Sequence, residues 1–485
     1  MKRRLLSIFM LIVLFFTGGV AFTACKKSEK AGCRYEIKVE YEPGNRKLFG
    51  SQKVLFVNTT DNCIDEIKFN LFPNAYREGA VHSPISKSLE QSAYYDKKSY
   101  GGIEITSVVG AKGFEIAGED KNVLAIALDA PLFPDEKVTL DIGFITLLAQ
   151  VNHRTGITQK SVNLGNFYPI LCAYQDGFLE YPYSSIGDAF TSGYADYDVS
   201  IVLPKEYAAA TSGVLLDERV LESKKVCRYQ AENVRDFAAV LSTNFRLETR
   251  RVGTTDVGFY LFSNEENSAI DTVLSAFEYF NGLFGAYPYP TYSFVQTEIC
   301  LGGAEYPALS MFSFNQKESK EEKAFRIVRE VAKQWWYAAV GNNQAIDGWI
   351  DEGLAEYSAI LFFEKHAEYG LKRAELVNAR LLEYRTYFDG YNAFEKKTDT
   401  SMTRRLETYE TEYEYRLIAR NKSAVMFDLL RDGIGEKRFF SGLKRYYKEN
   451  KFRLVTANDM IVCFEKSGVD VSGFFDGFLS GKAIL

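Results

Sequence analysis

The N-terminal half of the chain alternates hydrophobic and polar residues with the two-residue period of a β-strand. In the clearest case, Tyr35, Ile37 and Val39 are separated by charged residues, which is typical of a strand with one buried face. Similar strand-like runs lie at 53–57, 103–109, 138–145, 197–203 and 237–241. The pattern predicts a β-rich N-terminal domain over residues 33–245.

The spacing of hydrophobic residues changes beyond residue 245. After a short predicted strand at 257–262, apolar residues recur at helical spacing, as Ile270, Val273, Leu274, Phe277 and Phe280 do. Further helices are predicted at 323–339, 352–366, 375–388, 421–432, 437–449 and 457–466. The second domain, over residues 246–485, is therefore predicted to be mostly helical, which makes the chain an α+β protein with more than one domain.

Residues 1–24 have the pattern of an export signal. Basic residues at the start are followed by an apolar stretch and then by small residues, and the apolar stretch is too short for a typical membrane span. Residues 22–25 read Phe-Thr-Ala-Cys, which resembles a bacterial lipobox. We therefore expect lipid attachment at Cys25, a polar tether over residues 25–32, and an exported protein anchored on the extracytoplasmic face of a membrane. An uncleaved signal anchor is the alternative.

The composition fits a globular body and argues against a nucleic-acid partner. Hydrophobic residues make up 46% and charged residues 25% of the 485 positions, so each domain can bury a core. The formal net charge is −6, and an acidic chain lacks the basic surface that nucleic-acid binding requires.

The remaining cysteines leave two alternatives open. An exported protein can form disulfides, and Cys33 and Cys63 flank the first predicted pair of strands, where a disulfide could join them. Buried free thiols are the other reading. The chain has no pair of cysteines spaced by two residues, so a cysteine-based zinc site is not expected.

The segment 329–333, Arg-Glu-Val-Ala-Lys, stands out for its chemistry. Positions 329 and 333 lie one turn apart on the same face of a helix. Two histidines at this spacing can hold zinc, with the glutamate between them as general base. Here Arg329 and Lys333 occupy both of these positions.

The flanking motifs give the segment its context. Residues 302–306 read Gly-Gly-Ala-Glu-Tyr, residues 349–357 read Trp-Ile-Asp-Glu-Gly-Leu-Ala-Glu-Tyr, and eighteen residues separate Lys333 from Glu352. With these motifs the chain resembles the aminopeptidase N type of gluzincin zinc aminopeptidases over roughly residues 33–450. The resemblance implies an antiparallel β saddle followed by a thermolysin-like, mostly helical domain.

The resemblance also implies roles for individual residues. Glu330 matches the general base, and Glu352 matches the third ligand of the family's zinc cofactor. Glu305, in the strand that contains Gly302 and Gly303, matches the glutamate that binds the α-amine of the substrate.

Three departures from the family's pattern argue against a working zinc site. Arg329 and Lys333 replace both histidine ligands; an arginine has no lone pair to donate, and a lysine can bind a metal only when neutral, at a large cost in pKa. Arg420 stands where the family has its transition-state tyrosine. We therefore expect no bound metal and an idle Glu330. The chain has only three histidines, none at ligand spacing to another: His82, His153 and His366.

The two cations suggest a substitute for the metal. We expect Arg329 and Lys333 to pair with Glu352, and with Glu330 as well, so that two positive charges replace those of zinc. The alternative is that both side chains point into solvent. Glu305 is expected to line a pocket, although an ordinary edge-strand carboxylate would also fit the sequence.

Three functions remain open from the sequence. The first is an inactive peptidase-like lipoprotein whose cleft binds a peptide, a protein N-terminus or an envelope partner. The second is an active aminopeptidase with a rearranged or metal-free site. The third is a structural or assembly protein that binds no peptide.

Overall fold

The computed structural model describes residues 32–263, 267–315, 317–394, 398–483 and 485. The predicted signal peptide, Cys25 and the tether up to residue 31 lie outside the described residues.

The N-terminal part is built from β-strands. They are β1 (Cys33–Glu42), β2 (Lys47–Val57), β3 (Ile64–Asn70), β4 (Gly102–Val109), β5 (Gly113–Ala117), β6 (Val123–Leu132), β7 (Lys137–Leu147), β8 (Thr155–Ile157), β9 (Val162–Leu164), β10 (Ile170–Leu171), β11 (Ala195–Pro204), β12 (Ala208–Thr211), β13 (Val214–Leu221), β14 (Lys224–Val234) and β15 (Ala239–Ser242). One short helix, α1 (Glu90–Ala93), interrupts them.

These strands form three sheets. The largest has the order β13-β14-β11-β1-β2-β7-β4, and the two smaller sheets have the orders β10-β3-β6-β5 and β12-β15-β9-β8. Strand β1 buries every second residue, as its sequence pattern predicts, and Tyr35 stacks on Tyr197 of β11 with ring centroids 4.6 Å apart. The β1–β11 pairing is parallel, which is an exception to the antiparallel arrangement that we expected.

The C-terminal part begins with a mixed sheet and continues with helices. Its strands are β16 (Arg246–Val252), β17 (Thr255–Leu261), β18 (Thr291–Gln296), β19 (Gly303–Tyr306), β20 (Leu309–Phe312), β21 (Gly341–Asn342) and β22 (Leu454–Val455). Its helices are α2 (Asn267–Leu283), α3 (Lys320–Ala332), α4 (Gln344–Lys365), α5 (Arg373–Ala393), α6 (Glu412–Tyr415), α7 (Ser423–Ile434), α8 (Glu436–Asn450), α9 (Ala457–Glu465) and α10 (Ser472–Leu479). A β-rich domain followed by a mostly helical one confirms the predicted α+β class.

Some element boundaries differ from the predictions. The helix expected at 323–339 is α3 followed by a π-helical segment, Gln334–Ala339. The helix expected to begin at Glu352 begins at Gln344. It is kinked at Asp347 but continues beyond the kink as one helix. Asp347-Gly348 looks like a helix boundary in the sequence and is instead the kink.

The suggested disulfide between Cys33 and Cys63 is not formed. Both are free thiols, Cys33 buried and Cys63 exposed. Cys33 opens β1 in the seven-stranded sheet, whereas Cys63 precedes β3 in a different sheet. Burial raises the pKa of the Cys33 thiol, with its hydrogen bond to Tyr35 acting in the opposite direction, so this thiol is inert.

The two parts share one continuous hydrophobic core. At their junction, Arg235 is fully buried. Its guanidinium donates to the carbonyl oxygen of Asn342 at 3.0 Å and to that of Ser192 at 3.4 Å, and it lies over the ring of Tyr337. The β-rich part is therefore tied to the helical part by apolar packing and by a buried cation. None of the helices in the described ranges has the length and apolar character needed to cross a bilayer.

Candidate functional site

Helix α3 carries the first two residues of the site. Its start is fixed by a capping box in which Ser319 and Glu322 satisfy each other's backbone N–H groups. Ile327, Val328 and Val331 are buried in the core, and this packing fixes the rotation of the helix about its axis. That rotation determines where the side chains of Arg329 and Glu330 point. Both residues lie in the last turn of the helix and line a cleft.

Helix α4 faces α3 and brings the acidic residues. Asp351, Glu352 and Glu356 are all buried. The helix can approach its neighbours because it has no side chain at two contact points. A Cβ at Gly348 would lie 2.4 Å from the hydroxyl of Tyr415, and one at Gly353 would lie 2.3 Å from the Cβ of Ser423.

Strand β19 adds Glu305 from the opposite side. Glu305 is 8% exposed and lines the cleft with Gly303. A Cβ at Gly303 would lie 2.9 Å from the carboxyl carbon of Glu330, so a larger residue at this position would clash with that carboxyl group. Gly302 lies in the preceding turn with a φ of 85°, a conformation that favours glycine.

The ammonium group of Lys333 lies at the centre of these acids. Its Nζ donates to Asp351 Oδ2 and to Glu352 Oε1, each at 2.7 Å, and lies 3.2 Å from Glu305 Oε1. The side chain is fully buried. The side-chain amides of Asn342 and Gln344 donate to Asp351, both at 2.9 Å. These hydrogen bonds orient the carboxylate that accepts from Lys333.

Two arginines neutralise the other oxygen of Glu352. Arg329 donates to Glu352 Oε2 at 2.7 Å and to Glu330 Oε1 at 2.9 Å. Arg420 donates to the same Glu352 oxygen from its Nε at 2.9 Å and lies 2.8 Å from it at Nη2. The predicted pairing of Arg329 and Lys333 with Glu352 is thus present. Arg420 lines the cleft, but it is not a free cation there, because its guanidinium is paired with Glu352.

The electrostatics keep this cluster charged. Burial opposes protonation of Lys333, but Asp351, Glu305 and Glu352 outweigh it and hold the pKa of the lysine well above its usual value. Burial likewise opposes ionisation of Glu352. Arg329, Arg420 and Lys333 overcome that cost and hold the pKa of this carboxyl well below its usual value.

Glu330 has the opposite behaviour. Burial raises its pKa to about 7, with Arg329 acting in the other direction. One of its oxygens, Oε2, accepts no hydrogen bond from the described residues. Near neutral pH this carboxyl group is therefore a mixture of its protonated and ionised forms.

The cleft in front of the cluster has a volume of about 900 Å³. Residues of both domains line it: His153, Arg154, Tyr183 and Asp188 from the β-rich part, and Glu305, Arg380 and Glu412 from the helical part. Glu305 Oε1 is buried and accepts no hydrogen bond from the described residues, although Lys333 is near. A carboxylate that lines the cleft is suited to a ligand N–H group, although Glu305 already shares its charge with Lys333.

Zinc, which the resemblance implies at this position, does not fit the residues present. Structural and catalytic zinc sites use three or four protein ligands, mainly nitrogen and sulfur. Arg329 and Lys333 have no lone pair to offer while charged, and both oxygens of Glu352 are already bound by cations. A metal ion would have to displace a lysine whose protonated form three carboxylates stabilise.

A group of three acids in the cleft is the nearest alternative for a cation. Carboxylate oxygens of Asp188, Glu305 and Glu352 all lie within 4.8 Å of one another. Asp188 is paired with Arg154 at 2.5 Å, and Glu352 with three cations. Arginine and lysine side chains of the protein therefore already neutralise these carboxylates, and a metal cation is not needed to do so.

The structure brings together most of the residues singled out in the sequence. Glu305, Arg329, Glu330, Glu352 and Arg420 all line one cleft, and Lys333 lies beneath it. Sequence reasoning overlooked three acids that complete the charge balance: Asp188, Asp351 and Glu356. One clue was available for Asp351: it adds an acid directly before Glu352, in a chain that has a lysine at position 333 where the resemblance implies a neutral ligand.

Comparisons with known proteins agree with this geometry. Residues 268–478 match the sequence model of the peptidase family M1 domain, whereas no curated protein matches the chain. The fold is similar to that of an M1 zinc metallopeptidase from Deinococcus radiodurans, with 14% identity, a TM-score of 0.65, and coverage of 94% of this chain and 95% of that one. A mutant of that enzyme bound to a Tyr-Ser-Ala substrate gives 14% identity, a TM-score of 0.61 and coverage of 94% and 96%. Residues 268–478 are therefore similar to the peptidase family M1 domain, and the chain has the two-domain fold of M1 zinc metallopeptidases, as its motifs predicted.

Proposed function

We propose that this chain is a pseudopeptidase, a member of the M1 fold that neither binds zinc nor hydrolyses peptides and that uses its cleft to bind them. The observation that carries the proposal is the position of Lys333. Its ammonium group is fully buried between Asp351, Glu352 and Glu305. Because these carboxylates raise its pKa, the lysine remains a cation where catalysis would need a metal-bound water.

The cleft keeps what peptide binding requires. A free α-amine is positively charged and carries N–H donors, and Glu305 contributes a carboxylate to the cleft lining, where Lys333 is its ion-pair partner. The cleft is large enough for a short peptide, at about 900 Å³. The related Deinococcus enzyme holds Tyr-Ser-Ala, and this supports the same class of ligand here.

The first test is metal content together with activity. The soluble fragment from Lys26 onward is incubated with zinc, dialysed, analysed for metals by elemental mass spectrometry, and assayed with aminoacyl-anilide substrates. We expect no stoichiometric zinc and no turnover. Chelator-sensitive turnover that the Glu330→Ala variant abolishes would establish an active aminopeptidase and refute the proposal.

The double variant Arg329→His/Lys333→His tests whether the two cations stand in for the metal. Two histidines one helical turn apart, together with Glu352, form a three-ligand zinc site. We expect the variant to bind zinc at one ion per chain, as measured by elemental analysis, while each single histidine variant does not. Failure of the folded double variant to bind zinc would mean that the helices no longer present ligand geometry.

Peptide binding is tested with a tripeptide labelled at its C-terminus, by fluorescence anisotropy. We expect binding that N-acetylation of the peptide weakens by tenfold or more, roughly the value of one charge-assisted contact. Glu305→Gln should have the same effect. Glu321→Gln removes an exposed acid at the cleft and serves as the control. No binding of either peptide would favour a structural role instead.

We also propose that the protein is anchored to a membrane by lipid on Cys25. The lipobox-like residues 22–25 and the polar residues after them support this proposal. Mass spectrometry of the N-terminal peptide should find a diacylglyceryl cysteine, and Cys25→Ser should release the protein from the membrane fraction. An intact N-terminus that retains residues 1–24 would favour a signal anchor.

A further inference from the structure

Strand β13 is an exposed edge of the seven-stranded sheet. It pairs with β14 on one side, and no described strand pairs with its other side. Every residue from Leu215 to Leu221 is exposed, including four apolar side chains that are about half or more exposed: Leu215, Leu216, Val220 and Leu221. An apolar edge strand with open backbone N–H and C=O groups readily pairs with another strand.

The sequence of this strand is self-complementary. Residues 215–221 read Leu-Leu-Asp-Glu-Arg-Val-Leu, so apolar residues stand at both ends and charged residues in the middle. When two copies pair antiparallel about Glu218, Asp217 of one copy lies opposite Arg219 of the other. The apolar residues at each end then meet the apolar end of the second strand. Cross-strand pairs of this kind stabilise a sheet.

The charges are already arranged for this pairing. Arg219 donates to Asp217 of its own strand at 2.7 Å, and both side chains are well exposed. Two such pairs face to face form a closed set of four alternating charges. Glu218 would face its own copy, but the ammonium group of Lys225 lies 3.1 Å from it and offsets the repulsion.

The bulge in β13 limits but does not prevent the pairing. The register with β14 shifts between Leu215 and Asp217. The central pairs of residues 217–219 therefore lie in the regular part of the strand, and the apolar pairs at each end include a residue at the bulge. Pairing about Glu218 is two-fold symmetric, so the same edge of each copy forms the interface. No unpaired β13 edge remains for a third copy, and association stops at the dimer.

The position of β13 favours a protein partner over a lipid surface. Leu221 pairs with Lys224, and Lys224 pairs with Pro204 at the far end of β11. Strand β1 runs parallel to β11 and starts at Cys33 at the opposite end of the sheet. The apolar tip of β13 therefore lies about 30 Å from the chain's entry into the fold, at about 3.3 Å per residue.

From these observations we propose that two copies of this chain associate through antiparallel pairing of their β13 strands to form a symmetric dimer. The two seven-stranded sheets become one continuous sheet across the two-fold axis. The proposal does not depend on what the cleft binds.

Sedimentation velocity of the soluble fragment from Lys26 onward over a range of concentrations tests this. We expect a reversible monomer–dimer equilibrium. The single variants Asp217→Arg and Arg219→Asp each place like charges opposite one another twice per dimer and should raise the dissociation constant by about tenfold. The charge-swapped double variant Asp217→Arg/Arg219→Asp should restore it. Leu247→Lys changes an equally exposed leucine on β16, an edge strand of another sheet, and should leave the equilibrium unchanged.

Three outcomes would overturn the proposal. One is a monomer at every soluble concentration. A second is a dimer that responds to Leu247→Lys and not to the charge variants. The third is a monomer that binds lipid vesicles in a flotation assay and loses this binding on Val220→Lys, which would assign the apolar strand to a membrane surface. Far-UV circular dichroism of each variant confirms that it is folded.

Discussion

Lys333 is the single side chain on which the site depends most. It is buried with three carboxylates around it, and each of these carboxylates is itself buried. Truncation of one partner in a buried ion pair leaves uncompensated charge, which typically costs several kcal/mol.

Replacement of this lysine should therefore be strongly destabilising. We expect Lys333→Ala to lower the free energy of unfolding by about 3–5 kcal/mol, measured by urea denaturation. Lys372→Ala removes an exposed lysine that pairs with Glu375 and should change stability within experimental error. Equal stability of Lys333→Ala and wild type would show that the buried cation is dispensable.

Glu330 should give stability an unusual pH dependence. Its pKa is raised to about 7 in the folded state, from 4.5, so the folded protein binds more protons than the unfolded chain between these values. The cost of ionising the buried carboxyl is fully present above pH 7 and is relieved as the pH falls towards 4.5.

The variant Glu330→Gln isolates this effect. Above pH 7 it should be more stable than wild type by on the order of 1–3 kcal/mol, and the difference should shrink as the pH falls and vanish below about pH 4, where the carboxyl is protonated in both states. Chemical denaturation at several pH values measures it. A difference that stays constant with pH would contradict the raised pKa.

The close packing of helix α4 against its neighbours predicts how a substitution in this helix changes stability. Gly353 has no room for a Cβ, because Ser423 on α7 would lie 2.3 Å away. We expect Gly353→Ala to destabilise by about 1–3 kcal/mol through overpacking and to weaken the contact of Arg420 with Glu352. Gly390 in α5 has nothing within 4 Å of its Cβ position, so Gly390→Ala should be neutral or stabilising by up to about 1 kcal/mol. Thermal denaturation of the pair checks both, and similar melting temperatures would argue against close packing at Gly353.

Helices and alternating strands were predictable because their patterns are local. The run from Ile270 to Phe280 falls within α2, and β1 buries the side chains that its alternation indicated. The continuous apolar run of β6, buried at four successive positions, carries no alternation and was missed. The π-helical turn after α3, which contains the buried Trp335 and Trp336, has no local sequence pattern that predicts it.

The candidate site was predictable to a similar extent. The spacing of Arg329 and Lys333 placed them on one helix face, and the distance to Glu352 came from the family motif. Asp351 was not predicted to hold Lys333, because neighbouring positions on a helix point in different directions and only the packed structure shows that the lysine lies between both acids.

At the level of the whole molecule, the shared core and Arg235 should make the two domains unfold together. All three tryptophans, Trp335, Trp336 and Trp349, lie in the helical domain, whereas much of the β structure lies in the other. We expect the urea transitions from tryptophan fluorescence and from far-UV circular dichroism to coincide for wild type. They should separate for Arg235→Met, which removes the buried link to Asn342 and Ser192. Separate transitions in wild type would mean that the domains are energetically independent.

The charges that surround Lys333 also bear on how reversible this arrangement is in evolution. Returning a single histidine at position 329 or 333 removes a cation from the buried acids and supplies too few ligands to retain a metal. Each single change would therefore lower stability without creating a metal site, and only both changes together supply three ligands. Changes among the other residues that line the cleft leave the cluster intact, so the cleft can acquire a new ligand one substitution at a time, whereas zinc binding at this site needs two.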